Sequence, residues 1–288
     1  MVSTFTHKIS LGQNFLKNPE VLRRCVEAGE LAPQDVVLEI GCGQGALTRE
    51  LLKSEVSYLH AIEIDRRLAP WLLPLEEEHP YRFHLCWCDV LSAKLDELSP
   101  LPDKILANIP YNITTDLIWK AVIELAPSGL RKMILLIQRE AAERLVAPPG
   151  SKRRYPLGVT LELLGSVRNV MHVAPGSFVP PPKVWSSLIA IDLTGKASIV
   201  ASLEWKKFLC SGFAQRRKKL INVLAAAGYS KTTIAKLFAE IDIAPTARAE
   251  ELTAHQWFEL YTRLRRDDSS SKTNSTQGPP APLPSEGR

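Results

Sequence analysis

The chain has 288 residues, 45% hydrophobic and 23% charged, which is the make-up of a soluble globular protein and excludes a peptide hormone or a minimal binding module. No run approaches the roughly 18 apolar residues that a membrane-spanning helix needs. The formal net charge of +5 is uneven: residues 1–195 carry −1, residues 196–266 carry +7 and residues 267–288 carry −1, which suggests one segment that faces a polyanion.

The first eleven residues, MVSTFTHKISL, lack the apolar core of a signal peptide, so the cytoplasm is the expected compartment, with no membrane partner. The cysteines (Cys25, Cys42, Cys86, Cys88, Cys210) form no C-x-x-C pair, and the histidines are scattered. Neither a disulfide framework nor a metal site is expected.

From residue 35 to residue 138, short β-branched or aliphatic runs alternate with helical patterns. Strands are expected at 36–40, 58–64, 83–89, 104–108 and 133–138. Helices are expected at 46–54, 116–125 and, irregular because of Pro70 and Pro74, at 68–78. Such alternation implies parallel strands joined by crossover helices, an α/β doubly wound sheet of Rossmann-like type. Helices at 139–146 and 156–165 flank a basic loop containing Lys152, Arg153 and Arg154, and strands at 167–173 and 187–193 complete the sheet. Beyond Gly195 the pattern is purely helical, at 202–214, 220–227, 231–241 and 253–265. The chain therefore divides into an α/β domain over 1–195 and a smaller, all-helical, basic domain over 196–266. A tail over 267–288, rich in Ser, Pro, Thr and Gly, is expected to be disordered.

The first strand ends in Glu39-Ile40-Gly41-Cys42-Gly43-Gln44-Gly45-Ala46, and a helix follows at once. Glycines there let the backbone turn tightly, approach a ligand and aim a helix N-terminus at it. Gly41, Gly43 and Ala46 satisfy G-x-G-x-x-G/A, a pattern shared by nicotinamide and S-adenosylmethionine sites. Glu63 ends the second strand, where a carboxylate accepts hydrogen bonds from ribose hydroxyls. Asp89 ends the third, placed to accept from an adenine amino group, with Val90 offering an amide. Either acid alone is more often a helix cap; ligand-competent groups on three successive strand ends favour a nucleoside pocket.

The fourth strand ends in Asn108-Ile109-Pro110-Tyr111. The N6 lone pair of adenine is delocalised into the ring, so methylating it requires geometry that re-localises that pair. The Asn108 side-chain oxygen and a backbone carbonyl at Ile109 or Pro110 suit the two N6 hydrogens. Pro110 stiffens the backbone, and Tyr111 offers a ring for stacking. Positioning does the work, with no titratable base.

These motifs together resemble the RNA adenine-N6 dimethyltransferases, more specifically the bacterial small-subunit ribosomal RNA branch whose loss gives kasugamycin resistance. The resemblance runs from about Ser10 to Arg266. Leu11-Gly12-Gln13-Asn14-Phe15-Leu16 is similar to the family's opening motif, which implies cofactor contacts for Asn14 and Leu16. Gly41, Glu63, Asp89 and Asn108 match its other cofactor positions. Phe178, in Phe178-Val179-Pro180-Pro181-Pro182-Lys183-Val184, takes the aromatic position that stacks on the other face of the target base. Cys42, Cys88 and Ile109 depart from the usual proline, glycine and leucine, and none removes a ligand atom.

Asn-Ile-Pro-Tyr and the Pro182–Ser187 segment also resemble the macrolide-resistance methyltransferases of large-subunit RNA. The segment from Phe213 through Arg216, Arg217, Lys218 and Lys219 to Leu220 is similar to the small-subunit branch instead. With Lys206 and Lys207 these cations are candidates for bridging phosphates, the loop cations at 152–154 assisting; a solvated basic helix end is the plainer alternative. The resemblance implies S-adenosylmethionine-dependent dimethylation of two adjacent adenosines in the 3′-terminal hairpin loop of 16S ribosomal RNA. The implied partner is an immature small subunit, and the expected state is a monomer. A ribosome-assembly factor with secondary methylation, and a nicotinamide-dependent oxidoreductase resting on the glycine loop alone, are the readings of other classes.

Overall fold

The computed structural model describes residues 13–194 and 199–274. In chain order the elements are β1 (Phe15–Leu16), α1 (Pro19–Gly29), β2 (Val36–Ile40), α2 (Ala46–Lys53), β3 (Tyr58–Glu63), α3 (Ala69–Glu78) and β4 (Phe83–Trp87). There follow β5 (Lys104–Asn108), α4 (Thr114–Leu125), β6 (Lys132–Gln138), α5 (Arg139–Leu145), α6 (Pro156–Leu164), β7 (Gly165–Val173), β8 (Phe178–Val179) and β9 (Ser186–Leu193). The last four are α7 (Leu203–Phe213), α8 (Leu220–Ala226), α9 (Lys231–Glu240) and α10 (Ala254–Asn274).

Seven strands form one sheet in the order β4-β3-β2-β5-β6-β9-β7. The first five are parallel; β9 runs antiparallel to β6, and β7 runs antiparallel to β9, so only β9 is reversed in this sheet. A parallel neighbour needs a crossover connection, and residues 174–185 between β7 and β9 hold only a short strand and one helical turn, so those strands pair antiparallel. The central strands are buried along nearly their whole length, which is why they appear in the sequence as mostly apolar runs rather than alternating ones. At the amino edge of the sheet Asp35, fully buried, accepts from the ammonium of Lys104 at 2.6 Å and from the Arg131 guanidinium at 2.8 Å. One carboxylate thus fixes the starts of β2, β5 and β6 and leaves their carboxyl ends for the site.

Two features lie outside the sequence expectations. Helix α1 begins on Asn18, whose side chain accepts from the backbone N–H of Glu20 and Val21, with Pro19 in the first turn. The pair β1–β8 sets Phe15 opposite Val179 and Leu16 opposite Phe178, and so joins the opening motif to the Phe-Val-Pro-Pro segment.

The chain divides into two compact units that meet between Lys207 and Phe208. The boundary expected near residue 196 lies at residues 195–198, outside the described residues, and the start of α7 belongs with the first unit. Trp205 is fully buried and its indole donates to the Thr160 hydroxyl at 2.9 Å, while the Lys206 ammonium sits 5.5 Å from the Trp119 ring centre. Helical periodicity reveals a helix and not the core on which each turn packs. Trp205→Phe removes one buried donor and is expected to cost about 1 kcal/mol, lowering Tm by about 2–4 °C in a thermal melt. An unchanged Tm would contradict the packing.

In the second unit Trp257 is the fully buried centre, with Phe213 stacked at 5.4 Å, Phe208 edge-on at 5.7 Å and its indole donating to the Ala249 carbonyl. Helix α10 runs to Asn274, so the first residues of the expected disordered tail are helical. A packed helix extends cooperatively into a segment with little apolar pattern of its own. The rest of the tail, 275–288, and residues 1–12, including Leu11 and Gly12 of the opening motif, lie outside the described residues.

Candidate active site

The strand order reverses between β2 and β5, and a cavity opens at the carboxyl ends of β2, β3, β4 and β5, the ligand position of an open α/β sheet. Gln13, Asn14 and Phe15 wall it on one side. Gly41, Gly43, Glu63, Asp89, Val90 and Asn108 to Tyr111 line the rest. The structure therefore brings Asn14, Gly41, Glu63, Asp89, Asn108, Ile109, Pro110 and Tyr111 together.

The glycine loop is held by the neighbouring strand. Gly41 donates to the Ile62 carbonyl at 2.8 Å, and Gly43 donates to the Glu63 carboxylate at 3.0 Å. The other Glu63 oxygen accepts from the Asp65 N–H at 2.9 Å. Burial raises the Glu63 pKa above the ordinary carboxylate value, and these N–H groups partly offset the shift. Gly43 has a φ of +57°, and a Cβ placed there would lie 2.8 Å from the Phe15 ring, so the position requires glycine for conformation and for closeness. Asp89 is exposed and both caps and lines: one oxygen accepts from the Leu91 N–H at 2.9 Å while the residue borders the cavity.

The Asn108 amide nitrogen donates to the Asn14 carbonyl at 2.8 Å. Only the NH2 end can donate to a carbonyl, so this bond decides the orientation and leaves the side-chain oxygen as the acceptor. Ile109 is buried with its N–H bonded to the Leu136 carbonyl at 3.1 Å; its side chain serves the core, which is why isoleucine stands there without loss to the cavity. The Pro110 carbonyl already accepts from the Ile113 N–H and the Thr114 hydroxyl, at 3.2 and 3.4 Å. Of the two carbonyls expected to face N6, Ile109's accepts no backbone hydrogen bond outside the regular elements among the described residues. The Tyr111 hydroxyl is 2.7 Å from the Ser186 hydroxyl, and burial pushes the phenol pKa up, so the ring is neutral and tied to the start of β9.

Two expected residues stand apart from this cavity. Phe178 and Leu16 are 1% and 7% exposed, paired on β8 and β1 and packed into the core. The Phe178 ring is not presented to the cavity, because the strand pairing turns it inward, and Val179, 41% exposed, is the surface residue of that pair. Leu16 instead lines a smaller adjoining cavity with Glu39, Cys42 and Val179.

Glu39 was not anticipated, although an acid inside a buried apolar strand is the signal that marks it. It is 1% exposed, and its Oε2 has no hydrogen-bond partner among the described residues. Burial pushes its pKa up to about 8. A group whose folded pKa lies above its unfolded value stabilises the fold fully below the ordinary carboxyl range and loses that contribution as pH rises through about 8. Glu39→Gln is therefore expected to flatten the decline of Tm between about pH 5 and about pH 8. Parallel Tm profiles for the two proteins would refute this. The smaller cavity thus offers a buried acid to a cation, which fits the ammonium end of S-adenosylmethionine, while Glu63 and Asp89 fit its nucleoside end.

Of the expected RNA contacts, Arg217, Lys218 and Lys219 are exposed in the turn between α7 and α8. Arg216 is half-buried, its guanidinium 3.9 Å from the Glu250 carboxylate. In the first unit Arg154 is a correction: it is 1% exposed and donates to the Ala147 carbonyl and to Glu162, so it staples its loop rather than meeting solvent. Arg153 pairs with Glu143. No helix among the described residues is long and apolar enough to cross a membrane.

Residues 4–266 match the family model described as ribosomal RNA adenine dimethylase. Ribosomal RNA small subunit methyltransferase A of Synechococcus sp. (strain CC9311) is 38% identical, covering 93% of this chain and 98% of its own. The protein of the same name from Syntrophotalea carbinolica is also 38% identical, covering 88% and 95%. Among solved structures, a dimethyladenosine transferase from Plasmodium falciparum superposes with a TM-score of 0.74 at 25% identity over 88% of this chain and 98% of that one. The 23S rRNA methyltransferase ErmE gives 0.65 at 25% identity over 88% and 100%. With a Rossmann-like methyltransferase sheet and a match along nearly its full length, the chain belongs to the ribosomal RNA adenine dimethylase family.

Proposed function

We propose that this protein dimethylates the N6 amino groups of two adjacent adenosines in the 3′-terminal hairpin loop of 16S ribosomal RNA, acting in the cytoplasm as a monomer on an immature small subunit. The coarser activity, S-adenosylmethionine-dependent adenine dimethylation of small-subunit ribosomal RNA, is that of its family and of its near relatives. The cofactor supplies an electrophilic methyl sulfonium when bound.

The observation that carries the site assignment is the Asn108–Asn14 bond. It aims the Asn108 oxygen, with the Ile109 carbonyl beside it, as a pair of acceptors for the two N6 hydrogens. Held so, the amine lone pair is freed from the ring and points where a methyl group is offered. Tyr111 supports the base, and Phe178 reaches its other face only if the β1–β8 pair rearranges. Glu63 and Asp89 take the cofactor's nucleoside end; Asn14, Leu16 and Gly41 line the way to its methionine end. Arg217, Lys218 and Lys219, with Arg216, bind phosphates.

Large-subunit specificity is not favoured, because the relatives at 38% identity are small-subunit enzymes while the ErmE likeness stands at 25%. The oxidoreductase reading has no account of residues 108–111 and falls with family membership. The test is transfer of labelled methyl groups to small subunits from cells lacking the modification, followed by mass spectrometry of the nucleosides. N6,N6-dimethyladenosine at two adjacent positions is the expected product; label confined to large-subunit RNA would overturn the proposal. An assembly role separate from methylation would appear as normal subunit maturation in cells carrying a binding-competent, catalytically dead variant.

A further inference from the structure

Of the six tryptophans, Trp185 alone is exposed, at 50%; the others are buried or half-buried. Its chain neighbours Lys183 and Val184 are exposed as well, and so is Val179 on the other side of three prolines. Leaving so large an apolar side chain in water forgoes stabilisation that a core position would gain, so the exposure points to a ligand.

The position of Trp185 is fixed by what surrounds its backbone. Its carbonyl accepts from the Arg139 N–H at 3.0 Å, which pins it to the carboxyl end of β6. The next residue, Ser186, is the one that meets the Tyr111 hydroxyl at 2.7 Å. Trp185 therefore stands one residue from a direct contact with the candidate catalytic segment, on the same edge of the sheet as the cavity mouth. Indole is the largest π-face among the side chains, and a lysine two residues away supplies charge for a phosphate.

We propose that Trp185, with Lys183 and Val184, forms a stacking platform for an unpaired RNA base next to the target adenosine. The inference rests on the proposed function and adds to it a recognition residue outside the cavity. A base entering the cavity must leave its own stack, and its neighbour then exposes a π-face of its own. Trp185 offers a replacement partner, so it lowers the cost of holding the strand open and acts on RNA affinity rather than on the methyl-transfer step. A protein partner would have little use for a single indole beside a lone cation; a single-stranded polyanion with flat bases uses both.

The test compares Trp185→Ala and Trp185→Phe with the wild type, using small subunits lacking the modification as methyl acceptor. Trp185→Ala is expected to raise KM for the subunit roughly ten-fold, with kcat and S-adenosylhomocysteine affinity changed by less than about two-fold; Trp185→Phe keeps most of the wild-type KM. A single-stranded ten-nucleotide RNA containing two adjacent adenosines should quench tryptophan fluorescence in the wild type and not in Trp185→Phe. An unchanged KM in Trp185→Ala, or the same quenching in Trp185→Phe, overturns the proposal. So does a loss in kcat or cofactor affinity, which would indicate a structural role. A wild type that fails to methylate either subunit would instead sink the proposed function, and the quenching difference would still read the platform by itself.

Discussion

Replacing Asn108 by alanine is expected to reduce methyl transfer by about 10²–10³-fold while RNA binding, read by filter retention, stays within a few-fold of wild type. The loss follows from geometry. In the proposed site the Asn108 oxygen is one of two acceptors for the N6 hydrogens, and the bond from its nitrogen to the Asn14 carbonyl holds it in place. Alanine removes the acceptor. Asn108→Asp tests the orientation separately, because it keeps oxygen acceptors of the same shape but has no N–H for Asn14, and sets a negative charge against that carbonyl. It is expected to be as inactive as the alanine variant. Activity within a few-fold of wild type in the alanine variant would remove Asn108 from the reaction. Near-normal activity in the aspartate variant would show that the Asn14 bond does not orient it.

The part of this arrangement written in the sequence is the part that depends on near neighbours. Strands buried on both faces appear as mostly apolar runs, so β2 and β5 are located to the residue and the other sheet strands to within two residues. The candidate functional groups at the strand ends are equally plain, since Gly41, Glu63, Asp89 and Asn108 each follow directly on an apolar run. What escaped reading depends on partners distant in the chain. The β1–β8 pair joins residues too few on each side to show a period, yet it decides that Phe178 and Leu16 face inward. The Pro110 carbonyl looks available in sequence and is taken by the start of α4. Arg154 reads as a surface cation and is a buried staple. Trp205 lies in a helix that the pattern assigns wholly to the second domain, and a bond to Thr160 places it in the first. In each case composition tells what a residue can do, and only a non-local contact tells which of its options is used.

Glu63→Gln is expected to weaken cofactor binding about 100-fold, measured by calorimetry with S-adenosylhomocysteine, with little change in Tm. In the wild type the two carboxylate oxygens accept from two fixed backbone donors, Gly43 and Asp65. Glutamine has one oxygen and one NH2, so in either orientation a donor faces a donor, and the loop or the strand end must yield. In the proposed site the ribose hydroxyls also lose a charged acceptor. On folding two effects oppose each other: the mismatched backbone donor costs stability, while burial, which raises the Glu63 pKa and disfavours the ionised form, is relieved by a neutral isostere, so the net change in Tm is small. Affinity therefore falls while stability holds, which a generally misfolded variant cannot imitate. The same shift sets the pH dependence. Because the carboxylate is the form proposed to accept from ribose, wild-type affinity should drop as pH falls toward the raised pKa, while the glutamine variant stays weak and flat. Affinity in Glu63→Gln within about three-fold of wild type would show that the glycine loop holds its shape without the carboxylate and that the ribose acceptor lies elsewhere.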